Sequence, residues 1–222
     1  MIAYQYDDQA LYIGATVALP GRAIRNPNRP IDRFWQGDLL QLRLASDPAL
    51  PYPLTSRTDP ALAANRRILS ISLWKNTATG EDIVHIQYGA KLDLGSVVGP
   101  EGSAIKIRAI EQGYVLEASI PWTALAVPDG RNPFKPGEAM TAVMEVIWGG
   151  GDQGRTSMHF HKDPGTFAFE AEVLFSGQGQ RGIGTVERHH LYSPRTPQTT
   201  LVNDTPTEAR LHPSGWGTLH VR

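Results

Sequence analysis

Gly113-Tyr114-Val115-Leu116-Glu117-Ala118-Ser119-Ile120-Pro121-Trp122 is the stretch from which the fold is read. Its first eight residues read as a β-strand, preceded by a second strand at 104–110 (AIKIRAI) and joined to it at Glu111-Gln112-Gly113, a turn cluster. The strand pattern breaks at Pro121, and Pro121-Trp122-Thr123-Ala124-Leu125 can form one helical turn, with proline in the first position where its missing N–H costs nothing. Outward from this pair the same pattern recurs. Ile2 to Tyr6 and Leu11 to Ala18 are short runs separated by Asp7-Asp8-Gln9 and read as a hairpin. In the strand from Asp38 to Leu44, Leu40, Leu42 and Leu44 alternate with Leu39, Gln41 and Arg43, the period-2 signature of a half-buried strand. Further strands are expected at 67–75 (RILSISLWK), 82–88 (DIVHIQY), 139–148 (AMTAVMEVIW) and 167–175 (FAFEAEVLF). The proline-rich segments 20–33 and 47–60 read as surface loops, and Pro128 to Gly137 as another. Many short strands with almost no helical periodicity predict an all-β fold, a β-sandwich.

Composition agrees with that architecture. Gly and Pro, 22 and 17 of 222 residues, exceed the ~12% of an average chain, while charged residues at 19% fall below the usual ~25%. The length accommodates one all-β domain over 1–175. Residues 176–222, rich in Gly, Gln, Arg, Pro and Thr, read as a linker or the start of a further module, with one extra strand available within Leu211 to Val221. Cys is 0, which excludes thiol nucleophiles, thiolate zinc sites and a disulfide scaffold. With 21 Lys and Arg against 22 Asp and Glu the net charge is −1, so no global field favours nucleic acid or an anionic membrane, and neither is expected as a partner. No apolar run approaches the ~18 to 20 residues of a spanning helix. The strand at Ile2 has nothing leading into it, and a missing N-terminal segment is expected.

Familiar catalytic signatures are absent. There is no Gly-x-Ser-x-Gly elbow, no His-Glu-x-x-His and no Gly-x-x-x-x-Gly-Lys, and Gly149-Gly150-Gly151 lacks the strand-to-helix setting of a dinucleotide turn. No catalytic residue is therefore assigned. His159-x-His161 has a metal-ligand spacing on a strand, but partly exposed rim histidines are the commoner reading, and His189-His190 falls in the tail. Glu117 with Glu145, or Glu170 with Glu172, would make a glycosidase pair only if ~5 to 9.5 Å apart. Trp122 and Trp74 are expected in the core. Trp35 differs: it follows a proline-rich loop and opens Trp35-Gln36-Gly37-Asp38, a junction suited to an aromatic platform for the apolar face of a pyranose ring.

The order of Tyr6-Asp7-Asp8-Gln9-Ala10-Leu11-Tyr12-Ile13, then Trp35-Gln36-Gly37-Asp38, then the segment from Gly113 to Trp122 resembles family 9 carbohydrate-binding modules and their DOMON-like relatives. Gly154-Arg155 and Asp163-Pro164-Gly165-Thr166-Phe167 look like that family's final loop, so the resemblance spans roughly residues 2 to 175. It implies a jelly-roll-like, immunoglobulin-like sandwich that binds mono-, oligo- or polysaccharide without cleaving it, commonly as a secreted or periplasmic accessory to a catalytic glycoside hydrolase module. Trp35 matches one of two tryptophans that sandwich a sugar, Asp38 the acidic residue of the same turn, and Gln41 stands where a carboxylate often sits. Arg155 is a further candidate hydroxyl partner. For the second wall this chain offers Phe160 or His161 in Phe160-His161-Lys162. The family's opening strand has no counterpart, which would leave an unpaired edge that invites association. The resemblance implies no cofactor and no metal, with structural calcium an open question. A DOMON-like haem-binding electron-transfer domain is the alternative, for which Met140, Met144, Met158, His159 and His161 supply candidate ligands; a glycosidase in its own right is a third reading.

Overall fold

A computed structural model describes residues 2–19, 21–28, 33–49, 64–89, 94–136, 138–149, 155–160, 173–177 and 217–220. In chain order the strands are β1 (Ile2–Tyr6), β2 (Ala10–Ala18), β3 (Leu39–Ala45), β4 (Ile68–Lys75), β5 (Asp82–Tyr88), β6 (Ser96–Val98), β7 (Ala104–Ile110), β8 (Gly113–Pro121), β9 (Ala139–Gly149), β10 (Arg155–Phe160), β11 (Val173–Gly177) and β12 (Gly217–His220). Among the described residues the one helical element is a single 3₁₀ turn, Phe34–Gln36. One sheet runs β1-β2-β8-β7, and the larger runs β11-β10-β9-β3-β4-β5-β6 with β12 also paired to β9. Every pairing is antiparallel.

Alternate residues of the paired strands meet between the two sheets and make the sandwich. Leu11, Ile13, Ala15 and Val17 of β2, with Leu116, Ala118 and Ile120 of β8, meet Leu40, Leu42 and Leu44 of β3, Leu69, Ile71 and Leu73 of β4, and Val84 and Ile86 of β5. All are buried. Each large apolar side chain removed from water contributes about 1.5–3 kcal/mol. Trp122 belongs to this core at 0% exposure, and its indole N–H donates to the Asp7 carbonyl at 2.9 Å, so its polar end is satisfied as well. Behind it the chain makes a tight turn and not the expected helical one: Pro121 still belongs to β8, Ala124 N–H bonds the Pro121 carbonyl at 2.9 Å and Leu125 N–H the Trp122 carbonyl at 3.1 Å, and Ala126 at φ +59 ends the turn.

The turns follow local chemistry. Asp7 closes the first hairpin by accepting the N–H groups of Gln9 (2.7 Å) and Ala10 (2.9 Å) on one carboxylate oxygen. Gly113 opens β8 at φ +149, and a Cβ built there would lie 1.9 Å from the Val17 carbonyl oxygen; only glycine lets β2 and β8 approach at this point.

Three differences from the sequence reading have physical causes. β6 was not anticipated, because its three residues are all exposed and carry no alternation. The 20–33 segment is not purely a surface loop: Asn26 within it is fully buried. β12 falls within the extra strand anticipated at 211–221, and its pairing to β9 over Ala139 to Ala142 is one that no local pattern names. The first six residues of the strand expected at 167–175 lie outside the described residues; β11 continues from its last three.

Candidate functional site

The face of the larger sheet turned away from the main core carries two layers. Nearest the start of β3, Leu39, Trp74, Ile83 and Ile147 form a second apolar cluster under Phe34 of the 3₁₀ turn. Phe34 stacks on Trp74 at 5.0 Å between ring centroids and meets His85 edge-on at 4.9 Å. Beside this cluster the register lines up His159, Glu145, Gln41, Ser72 and His85 across five strands. Gln41 donates to the Ser72 hydroxyl at 2.9 Å and accepts from the Arg43 guanidinium. Gln41, Arg43, Ser70, Ser72 and His85 are all buried. Among the described residues the Ser70 hydroxyl, the Trp74 indole N–H and both His85 ring nitrogens have no hydrogen-bond partner. Each such group costs about 1–3 kcal/mol. Desolvation lowers the His85 pKa to about 4, so the ring is neutral at physiological pH.

Trp35 stands over this edge, 40% exposed, its ring edge-on to Phe34 at 5.3 Å. What holds it there is a buried polar clamp. The Asp38 carboxylate accepts two hydrogen bonds from the Arg22 guanidinium and one from the Arg25 N–H, each 2.6 Å, while Asp38 N–H donates to the Arg25 carbonyl at 2.8 Å. The hydrogen bond from Arg22 to Asp38 raises the guanidinium pKa further. Asn26, fully buried, donates to the Phe34 carbonyl at 2.9 Å and accepts from Asn28, and its backbone is bonded both ways to Thr77. Gly37 makes room for it: a Cβ at Gly37 would fall 2.1 Å from the Asn26 side chain. Arg33, just before the turn, sits at φ +54, a strained geometry that the clamp sustains.

The predicted site residues therefore separate. Trp35 is the exposed aromatic expected of it. Asp38, nominated as a hydroxyl partner, is fully buried and occupied by Arg22 and Arg25, so it serves as the anchor of the turn. Gln41 lies in the polar row but is only 5% exposed. Arg155 pairs with Gly149 at the start of β10. Phe160 pairs with Met144, in the row of Leu42, Ile71 and Ile86, whereas the register neighbour of Glu145 and Gln41 is His159. His161 lies outside the described residues. The sequence reading missed Arg22, Asn26, Ser72 and His85. The last two had a signal, since Ser70 and Ser72, like His85 and Gln87, alternate with apolar residues in RILSISLWK and DIVHIQY. Arg22 and Asn26 had none, being two polar residues in a proline-rich loop.

Of the other constellations, the structure separates the Glu117–Glu145 pair. Glu117 is exposed on the smaller sheet and Glu145 belongs to the larger, which rules out the glycosidase pair, as packed sheets stand about 10 Å apart and Glu117 faces solvent. Glu170 and Glu172 lie outside the described residues. Met140 and Met144 lie on β9, Met158 and His159 on β10. Among the described residues no three His, Asp or Glu side chains gather to hold a metal ion, and no helix is long and apolar enough to cross a membrane.

No protein-family model matches the chain and no curated protein does. Among solved structures it is similar to a carbohydrate binding module family 9 from Caldicellulosiruptor kristjanssonii in complex with cellotriose, at 14% identity and TM-score 0.44, over 100% of this chain and 73% of that one. It is also similar to a family 9 module from the same organism in complex with glucose, at 17% identity and TM-score 0.38, over 74% of this chain and 67% of that one.

Proposed function

We propose that this chain is a non-catalytic carbohydrate-binding module, secreted or periplasmic, that serves as an accessory to a polysaccharide-active catalytic module. The observation that carries the reading is Trp35: a large aromatic, 40% exposed, on a turn held by the half-exposed Arg22 on the buried Asp38 carboxylate, a buried asparagine and a stacked Phe34. A soluble domain that fixes an exposed indole so firmly has pre-organised a flat apolar platform, and the apolar face of a pyranose ring fits one. Arg155 is the candidate hydroxyl partner, while Gln41, buried and bonded to Ser72 and Arg43, backs the polar row beside the platform. Asp38 acts through the position of Trp35. Phe160 or His161 is the candidate second wall.

With one tryptophan wall, affinity is expected on the order of 0.1 to 1 mM, about 4 to 5.5 kcal/mol. Titration calorimetry with glucose, cellobiose, xylobiose and galactose, against the native chain and Trp35→Ala, tests this. Binding that Trp35→Ala abolishes supports the site. No binding at several millimolar, or unchanged binding by Trp35→Ala, overturns it, and hydrolysis of any of the four overturns the non-catalytic assignment.

A further inference from the structure

The smaller sheet presents a second, separate feature on its solvent side. Strand β2 carries Gly14 in mid-strand, between Ile13 and Ala15. A glycine there weakens a strand, and it usually marks a bulge, a tight bend or a place where something approaches the backbone closely. No bulge exists: the β2–β8 register runs unbroken from Ala10↔Pro121 to Ala18↔Gly113. Gly14 does not require positive φ, and a Cβ built on it meets nothing within 4 Å. Nothing among the described residues therefore explains the glycine, and none of them fills the space above it.

That space is the middle of a trough of about 570 Å³ across all four strands of the sheet. Its size lies within the ~300–1,000 Å³ of small-molecule sites. The register sets its walls in two adjacent rows, Gln5–Tyr12–Ser119–Ala104 and Ala3–Gly14–Glu117–Lys106. Small side chains at Ala3, Gly14 and Ala104 sink the floor, and larger ones rise around them. Tyr12 is half-buried and its hydroxyl donates to Asp7 at 2.8 Å, which fixes the ring. Glu117 and Lys106 oppose one another in register yet form no ion pair together; the Lys106 ammonium lies 3.7 Å from Asp82 instead. The lining thus combines an aromatic ring with one carboxylate, one ammonium, an amide and a hydroxyl, with no net charge.

We propose that this trough is a second ligand site that takes a neutral saccharide, independent of Trp35. A charge-balanced wall of donors and acceptors around an aromatic ring matches a polyhydroxylated neutral ring better than an anion or a cation. The proposal does not rest on the reading of the Trp35 site, and the two are separated by which residues respond.

The test is amide chemical-shift mapping of the full chain with cellobiose and xylobiose, repeated on Trp35→Ala, Gly14→Val and Glu117→Gln. Saturable shifts at residues 12–14, 104–106 and 117–119 are expected, retained in Trp35→Ala. Gly14→Val fills the floor without a clash and places a β-branched residue in a strand. It should melt no lower than the native chain while weakening these shifts at least tenfold, and Glu117→Gln should weaken them severalfold. Absence of shifts at these amides up to 50-fold molar excess of sugar over a roughly millimolar chain, or shifts unaltered by Gly14→Val, overturns the site. Shifts at the same amides that follow protein concentration instead of sugar, with a matching rise in sedimentation coefficient, assign the trough to a second copy of the chain and also overturn it.

Discussion

Replacing Asp38 tells an anchor from a ligand contact. Its carboxylate is fully buried, with three hydrogen bonds of 2.6 Å from Arg22 and Arg25. Removing one partner of a buried pair costs about 3–5 kcal/mol when the other is left without compensation. In Asp38→Ala the group left behind is the Arg22 guanidinium, whose side chain is 35% exposed and regains water, so the cost is discounted to about 2–4 kcal/mol. In a chain of this length that lowers Tm by about 4 to 16 °C. Arg22→Met takes the cation from a carboxylate at 0% exposure, which keeps the Arg25 N–H, and is expected to cost at least as much. The double variant should cost less than the sum of the two, because the pair is lost only once. Urea unfolding of the four proteins measures the cycle, and sugar titration of each follows the function. An anchor predicts that both single variants weaken binding together with stability, since both release the Trp35 turn. The reasoning is refuted if Asp38→Ala loses binding at unchanged stability while Arg22→Met binds normally.

Trp122→Ala should cost about 3–5 kcal/mol as a core cavity, whereas Trp35→Ala should scarcely move the urea midpoint; equal losses would mean that Trp35 is structural. Gly37→Ala pushes a methyl into the buried Asn26 side chain and should destabilise by about 1–3 kcal/mol, seen as a lower melting temperature with weaker sugar binding. His85 makes stability fall in acid. Its folded pKa is about 4, below the unfolded ~6.5, so the unfolded chain alone takes up the proton between those values; stability is full above pH 6.5 and declines by at most about 1.4 kcal/mol per pH unit down to pH 4. Because neither ring nitrogen has a partner among the described residues and Phe34 and Trp74 pack on the ring, His85→Phe should keep the fold and flatten that decline, which denaturant titrations at pH 7, 5.5 and 4.5 would read.

Strand positions were legible because alternation is local: 82–88 and 104–110 are the bounds of β5 and β7, and Trp122 was placed in the core from its neighbours alone. The site was less legible, and the cause is register. Whether Phe160 or His159 joins Gln41 depends on how β10 slides on β9, and a shift of one residue exchanges the two. No pattern within RTSMHF sets that slide; the pairings of β9 with β3 and β10 do. Trp74 shows a related limit. It was expected in the core and is fully buried, yet it lies on the far side of the sheet from Leu73, in the cluster beneath Phe34. Composition reports that an indole is buried, not which of two apolar layers receives it.

Asn26 marks where local reading ends. Asn-Pro in a proline-rich loop signals a turn, and turns are ordinarily wet, so solvent exposure was the economical inference. The structure uses the same residue as a buried hub because a loop crossing a sheet must satisfy its own backbone and that of the turn it supports, and one amide offers donors and an acceptor to both. Asp38 obeys the same logic with a charge, its carboxylate binding the loop that its backbone also joins. Residues that look like ligand contacts in sequence are then spent on rigidity, and the exposed surface they leave for a ligand is the face of Trp35. On the proposed reading such a platform binds by shape, and the loss of either anchor is then expected to reach the sugar through the indole.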